Sequence, residues 1–370
     1  MKKKVLFLIH DLGQGGAEKV LVNLVNNMDR EAFDITVMSL FAGGVNEQFL
    51  NKDIRYQTVF PFSFPGNSQI MKAASPALLH KLFIRERYDI EVAYLEGPAA
   101  RVIYGCNDRE TGKVAWIHVE QHSLKKLSHS FRSVREALHC YTSFDRIICV
   151  SEYVKKDFLD LVGKNTPCRV IHNTIEADRI RALGTGINPI PFDPRFVNLT
   201  AMGSLKPSKG FERLIRIIYR LRQKDYFVRL YILGQGPQYK YLQQMICRLG
   251  LQGTVYLTGY HTNPYPVIAC SDLFVCSSFA EGMSTAVTEA LILGVPVCTV
   301  EVSGMKELLG QQNEYGLITA NNIKALYKGI RCLLDDRSKL AFYKEQAKNR
   351  GLAFGKEVTV KTAEEMLLSL

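Results

Sequence analysis

The chain has 370 residues, 47% of them hydrophobic and 22% charged, with a formal net charge of +11 and nine cysteines. That length exceeds one ordinary core and favours two domains, while the composition leaves no room for long disorder. No stretch reaches the roughly 18 consecutive apolar residues of a membrane span, and the scattered cysteines, without a Cys-x-x-Cys pair or zinc spacing, read as reduced thiols of a cytoplasmic protein.

Met1 to Lys4 followed by Val5 to Ile9 has the outline of a secretion signal, but the apolar run stops at His10-Asp11 and reads better as a first buried strand. Further strands are predicted over Asp34 to Leu40, Ile90 to Tyr94, Lys113 to His118, Arg146 to Val150 and Arg169 to His172. After Gly184 to Pro194, rich in Gly and Pro, a second series runs over Val197 to Gly203, Arg229 to Leu233, Val255 to Thr258, Leu273 to Cys276 and Val295 to Thr299. Strands alternating with helical patterns predict an α/β chain of two doubly wound, Rossmann-like domains. The expected division is 1–185, 190–345 and a last segment, 346–370, whose helix returns to the first domain. Ligands of such sheets bind at the carboxyl ends of the strands, so the loops there hold the candidates.

The first such loop, His10 to Glu18, carries Gly13, Gly15 and Gly16 and leads into a helix from Lys19. Glycines there let backbone amides approach an anion, or serve only tight strand-helix packing. A dinucleotide fingerprint would need Gly at position 18, where Glu stands. His118 closes a strand four residues before His122; the segment is strand-like and lacks the His-Glu-x-x-His form, so cleft lining is favoured over zinc, with an ordinary loop histidine as the alternative.

Residues 122–141 interleave Lys125, Lys126, Arg132 and Arg135 with apolar residues, the pattern of a basic amphipathic helix. It reads either as a surface for anionic lipid or as a solvated face packed on the first domain.

The loop Gly203 to Gly210 places Ser204, Lys206 and Lys209 between a strand and a helix from Phe211, which suits a diphosphate, although the spacing is not that of a Walker loop. On that helix Arg213, Arg216 and Arg220 read as the wet face. The loop Ser277 to Leu291 is the strongest. Glu281 falls in a strand-to-helix turn, the amides of Gly282, Met283, Ser284 and Thr285 form an anion site, and Glu289 enters a stretch that should be buried. A buried acid needs a partner, and sugar or ribose hydroxyls are good ones.

Glu281-x7-Glu289 with Gly294-Val295-Pro296-Val297 behind it resembles the retaining GT-B glycosyltransferases of family GT4. The likeness runs over the whole chain, through Gly13-x-Gly-Gly-Ala-Glu, His172-Asn173, Gly203 to Gly210, Gly234-Gln235-Gly236-Pro237 and Ser271-Asp272-Leu273. It implies a GT-B fold whose two domains face each other across a cleft. It further implies a ribose-binding Glu289, a Glu281 that contacts sugar hydroxyls, and a phosphate-binding Lys209. Gly15 and Gly16 would approach the donor phosphate, His118 would lie near the transferred sugar, and Gly203, Asn173 and Gly234 would complete the set. The family's arginine after the glycine of the second loop is Ser204 here, with Lys206 as the replacement to consider.

No Asp-x-Asp triplet occurs, so the expectation is a metal-independent enzyme without a cofactor, its leaving group neutralised by amides and lysines. The donor would be a UDP- or GDP-linked sugar. The resemblance implies a growing, lipid-linked glycan as acceptor, in cell-surface polysaccharide synthesis; nucleic acid is not expected, since no recognition module accompanies the charge. A nucleotide-sugar epimerase on the same scaffold and a non-catalytic membrane-associated protein are the competing readings.

Overall fold

The computed structural model describes residues 2–63 and 67–370, without the side chains of Ser68 and Ile70. It divides into two compact units, one of residues 1–174 with 356–370, the other of residues 175–355.

The first unit is built on a parallel sheet of β1 (Lys3–Ile9), β2 (Phe33–Phe41), β3 (Arg55–Phe60), β4 (Ile90–Ala93), β5 (Gly112–Ile117), β6 (Arg146–Cys149) and β7 (Cys168–Val170). Around it lie α1 (Gly16–Asn27), α2 (Asn67–Ala73), α3 (Pro76–Phe83), α4 (Pro98–Tyr104), α5 (Leu124–Leu127), α6 (Val134–Thr142) and α7 (Glu152–Val162). The strand order is β3-β2-β1-β4-β5-β6-β7. Val5 to Ile9 of β1 are all fully buried, as expected for a central strand covered on both faces.

The second unit begins with α8 (Ala177–Gly184) and carries a parallel sheet of β8 (Val197–Met202), β9 (Val228–Leu233), β10 (Val255–Gly259), β11 (Leu273–Cys276), β12 (Val297–Val300) and β13 (Leu317–Thr319). Its helices continue with α9 (Phe211–Arg222), α10 (Tyr239–Arg248), α11 (Tyr265–Ala269), α12 (Thr285–Ile292), α13 (Met305–Leu309), α14 (Ile323–Asp335) and α15 (Arg337–Leu352). The strand order, β10-β9-β8-β11-β12-β13, is doubly wound. The direction of winding reverses between β1 and β4 in one sheet and between β8 and β11 in the other. Such reversals open a crevice at the strands' carboxyl ends, because the two flanking loops run to opposite sides.

The boundary lies at Thr174, not near 185, because α8 packs against α11 and α12 of the second unit. The second unit also runs on to Gly355, past the expected 345, since α15 packs on α12 and α14. The last helix, α16 (Glu357–Leu368), belongs to the first unit. There Lys356 Nζ donates to Asn27 Oδ1 and Glu364 Oε1 accepts from the Asp29 amide, both at 2.5 Å. Among the described residues no helix is long and apolar enough to cross a membrane.

Candidate functional site

The second unit's reversal point is made by the loop after β8 and the loop after β11, and contacts stitch the two together. Gly210 caps α9 in the left-handed conformation (φ +64°), and a Cβ there would lie 2.1 Å from the Ser277 carbonyl oxygen. Only glycine meets both conditions. Beside it the Phe279 amide donates to Ser208 O at 2.7 Å and Ser277 Oγ to Lys209 O at 3.0 Å. Gly203 and Gly234 end β8 and β9 back to back, since a Cβ on Gly234 would fall 2.0 Å from Gly203 O.

This stitching aims the charged groups. The Lys209 side chain runs over Gly203, and its Nζ meets Glu281 Oε1 at 2.7 Å; Ser278 Oγ donates to the same oxygen. The pair is largely buried, with 26% and 11% of the two side chains exposed. Burial works to lower the Lys209 pKa, but the Glu281 carboxylate outweighs it and raises it, so the ammonium keeps its charge. Next in the chain, Gly282 and Ser284 are buried while Met283 and Thr285 are half-buried. Ser284 caps α12 by accepting from the Val287 amide at 3.4 Å. Glu289, in that helix, is 1% exposed, and the Tyr265 hydroxyl donates to its Oε1 at 3.5 Å. The unit thus gathers a cation, the positive end of a helix and a buried acid at one strand-end crevice. The chemistry of that set suits an anion with hydroxyl groups beside it.

Of the remaining residues of this unit, Ser204 is half-buried and Lys206 is exposed, so the second loop's inward cation is Lys209. Arg213 corrects the sequence reading: it is buried (6% exposed) rather than on the wet face with Arg216 and Arg220. In the first turn of α9 its side chain folds back to the end of β11, where the carbonyls of Ser277 and Ser278 take its donors. Two polar atoms missed by sequence reasoning, His261 Nε2 after β10 and Ser303 Oγ after β12, are buried without a hydrogen-bond partner at the same end of the sheet. No spacing signal marks them.

In the first unit the loop after β1 is propped from two sides. The Gly13 amide donates to Asp11 Oδ1 at 2.7 Å, and the Asn46 side chain donates to Gly13 O. Gly15 is the N-cap of α1, which Gly16 opens, and the Glu18 carboxylate folds back against Gly15, 1.9 Å from where a Cβ would stand. A carboxylate of this chain therefore lies at the helix end where the glycines would approach a phosphate, attracted by the same partial positive charge.

His118 follows β5 and is 6% exposed, its ring 4.9 Å from that of Tyr94 and its Nε2 buried without a partner. Burial lowers its pKa to about 3, so the imidazole is neutral at pH 7. Its backbone amide donates to Glu96 Oε2 at 3.1 Å, and the following amides of Gln121 and His122 donate to Asp157. Glu96, whose pKa burial raises, was not found from sequence because it sits in an unremarkable turn after β4. Asn173 is half-buried just past β7. Two groups among the described residues can hold a metal ion, His80 with Glu91 and Cys106, and Glu120 with His122 and Asp157; His118 is in neither.

Residues 122–141 are not one amphipathic helix but α5 and α6, each started by its own serine cap, Ser123 and Ser133. Lys126 and Arg132 are bound to backbone carbonyls of Glu120 and Lys72, which leaves Lys125 and Arg135 pointing outward.

Residues 14–179 match the glycosyltransferase family 4 domain and residues 197–336 the glycosyl transferases group 1 domain. The chain is 25% identical over 376 residues to the N-acetylgalactosamine-N,N'-diacetylbacillosaminyl-diphospho-undecaprenol 4-alpha-N-acetylgalactosaminyltransferase of Campylobacter jejuni, covering 99% of this chain and 100% of that one. It is also 25% identical to the lipopolysaccharide core biosynthesis glycosyltransferase LpsD of Rhizobium meliloti, over 89% of this chain and 87% of that protein. Anabaena HepE, solved with UDP and glucose, superposes over the full length of both chains with a TM-score of 0.78 at 21% identity. Sucrose-phosphate synthase of Thermosynechococcus elongatus does so over 100% and 99% at 0.79 and 15% identity.

Proposed function

We propose that this chain, a glycosyltransferase of the GT-B fold, moves a sugar from a UDP-linked donor to a hydroxyl of a lipid-diphosphate-linked glycan, with retention of configuration and without a metal ion. The observation that carries the reading is the crevice of the second unit, where Lys209, the start of α12 and the buried Glu289 share one set of strand ends.

When the glycosidic bond breaks, negative charge builds on the leaving diphosphate. Lys209 and the amides of Gly282 to Thr285 are fixed beforehand and meet that charge without reorganising, which is where such sites gain most. Glu289 accepts from the ribose hydroxyls, and Glu281, held by Lys209 and Ser278, from hydroxyls of the sugar. In the first unit, taken by itself, the neutral imidazole of His118 has Nε2 available to a sugar hydroxyl, and Gly15 and Gly16 would offer amides to an anion once Glu18 swings aside. Gly203 and Gly234 let the ends of β8 and β9 meet beneath the Lys209 side chain, with Ser204 and Lys206 contributing less, and Asn173 is a further candidate of the first unit.

The Campylobacter relative, similar over its whole length, acts by its name on a diphospho-undecaprenol glycan, and the Anabaena neighbour holds UDP. Both support the choice of substrates. Lys125 and Arg135, with Leu124 and Val134 beside them, are the outward groups of 122–141 that would rest on anionic lipid.

The test is to incubate the protein with UDP- and GDP-sugars, with and without a polyprenyl-diphosphate glycan, in chelator. The expected result is acceptor-dependent release of UDP with an α-linked product from an α-linked donor, abolished in a folded Glu289→Ala variant. Donor isomerised without acceptor, or full activity in the variant, contradicts it. Sedimentation with phosphatidylglycerol vesicles, reduced by Lys125→Glu and Arg135→Glu together, tests the lipid contact.

A further inference from the structure

Arg213 is buried, yet no carboxylate among the described residues pairs with it. Its Nε donates to Ser277 O, its Nη2 to Ser278 O and its Nη1 to Asn321 Oδ1, each at 2.7 Å, and its guanidinium lies 4.0 Å over the ring of Phe279. Asn321 in turn donates to Phe279 O at 3.4 Å. Three successive carbonyls leaving β11 are thereby held from behind, directly before the turn that carries Glu281. Every acceptor is neutral, so no opposite charge among the described residues balances the guanidinium at ion-pair distance. Buried charges are ordinarily paired, because desolvation is costly. An unpaired one calls for an anion near by.

The loops at this crevice supply little other positive charge. Ser204 is uncharged and Lys206 is exposed, which leaves Lys209, shared with Glu281, as the cation these loops themselves provide. We infer that Arg213 is a positioning residue for the donor loop that also lends its charge, through the loop it holds, to the diphosphate of the donor. The inference rests on the donor reading above. It accounts for both the fork geometry, which sets where the turn carrying Glu281 begins, and the missing carboxylate, which would cancel the field if present.

A residue that only held the loop would affect every ligand of the crevice alike. One that acts by charge separates a nucleoside from its diphosphate. The test therefore measures affinity for UDP and for uridine by titration calorimetry on the full chain, comparing wild type with Arg213→Met and Arg213→Lys. The preference for UDP over uridine is expected to fall on the order of tenfold in the Met variant and to stay within about twofold of wild type in the Lys variant. A folded Met variant that keeps the preference, or that weakens both ligands in parallel, overturns the inference. Should the Met variant not fold, the Lys variant decides, because losing the preference while keeping the charge refutes it. A wild type that binds neither UDP nor GDP overturns the donor reading itself, a result distinguishable from either of these.

Discussion

Gly210→Ala probes how the two donor loops are joined. An L residue at φ +64° costs about 1–2 kcal/mol, and the new methyl would stand 2.1 Å from Ser277 O. The carbonyl must shift, which in a packed interior adds about 1–3 kcal/mol. Gly250 is the internal control: it has the same φ of +64° and nothing within 4 Å of its missing Cβ. Gly250→Ala should therefore show the conformational cost alone. The difference between the variants, about 1–3 kcal/mol, corresponds to a further drop of about 2–12 °C in the unfolding temperature of a domain of this size. Ser277 O is also the carbonyl that Arg213 Nε holds, so Gly210→Ala should weaken UDP binding while Gly250→Ala leaves it unchanged. Differential scanning calorimetry and titration calorimetry measure both. Equal losses of stability in the two variants, or unchanged UDP affinity in Gly210→Ala, would refute the close-contact reasoning.

Replacing Lys209 by Met removes a charge-assisted contact to phosphate, worth about 1.5–3 kcal/mol, and should raise the Kd for UDP by about ten- to a hundredfold with uridine unaffected. Two histidines should give stability opposite pH dependences. For His118, lowered to about 3 against an ordinary 6.5, the unfolded chain binds the extra proton between those values, so its contribution to stability falls as pH drops below 6.5 and His118→Asn should flatten the acid limb of chemical-denaturation curves. For His80, burial would lower the pKa, but the Cys106 thiol and Glu91 carboxylate outweigh it and raise it to about 9. The folded state then binds the extra proton between 6.5 and 9, so this contribution is complete below 6.5 and lost as pH rises through 9, and His80→Gln should abolish that alkaline loss.

The central strands were legible because burial on both faces leaves continuous apolar runs, as in Val5 to Ile9. β3 and β13 were not, since both are edge strands without buried residues: Arg55-Tyr56-Gln57-Thr58 shows no alternation, and Leu317 to Thr319 is too short to carry a pattern. Glu281, Glu289 and Lys209 stood out from spacing against the turn and helix that hold them. Arg213 did not, because helical periodicity puts it near Arg216 and Arg220, and only the fold shows that a first-turn side chain can reach back to β11. Glu96 meets the His118 amide, and His261 and Ser303 lose contact with water, only through distant segments of the fold, which local sequence does not encode. The single helix expected over 122–141 failed at Ser133, whose capping bond to the Glu136 amide starts α6 anew.

The most direct measurement is a crystal structure of the protein with bound UDP. The diphosphate should lie between Lys209 Nζ and the amides of Gly282 to Thr285, with the ribose hydroxyls on the Glu289 carboxylate. A diphosphate bound elsewhere, or a Glu289 that does not touch the ribose, would contradict the account.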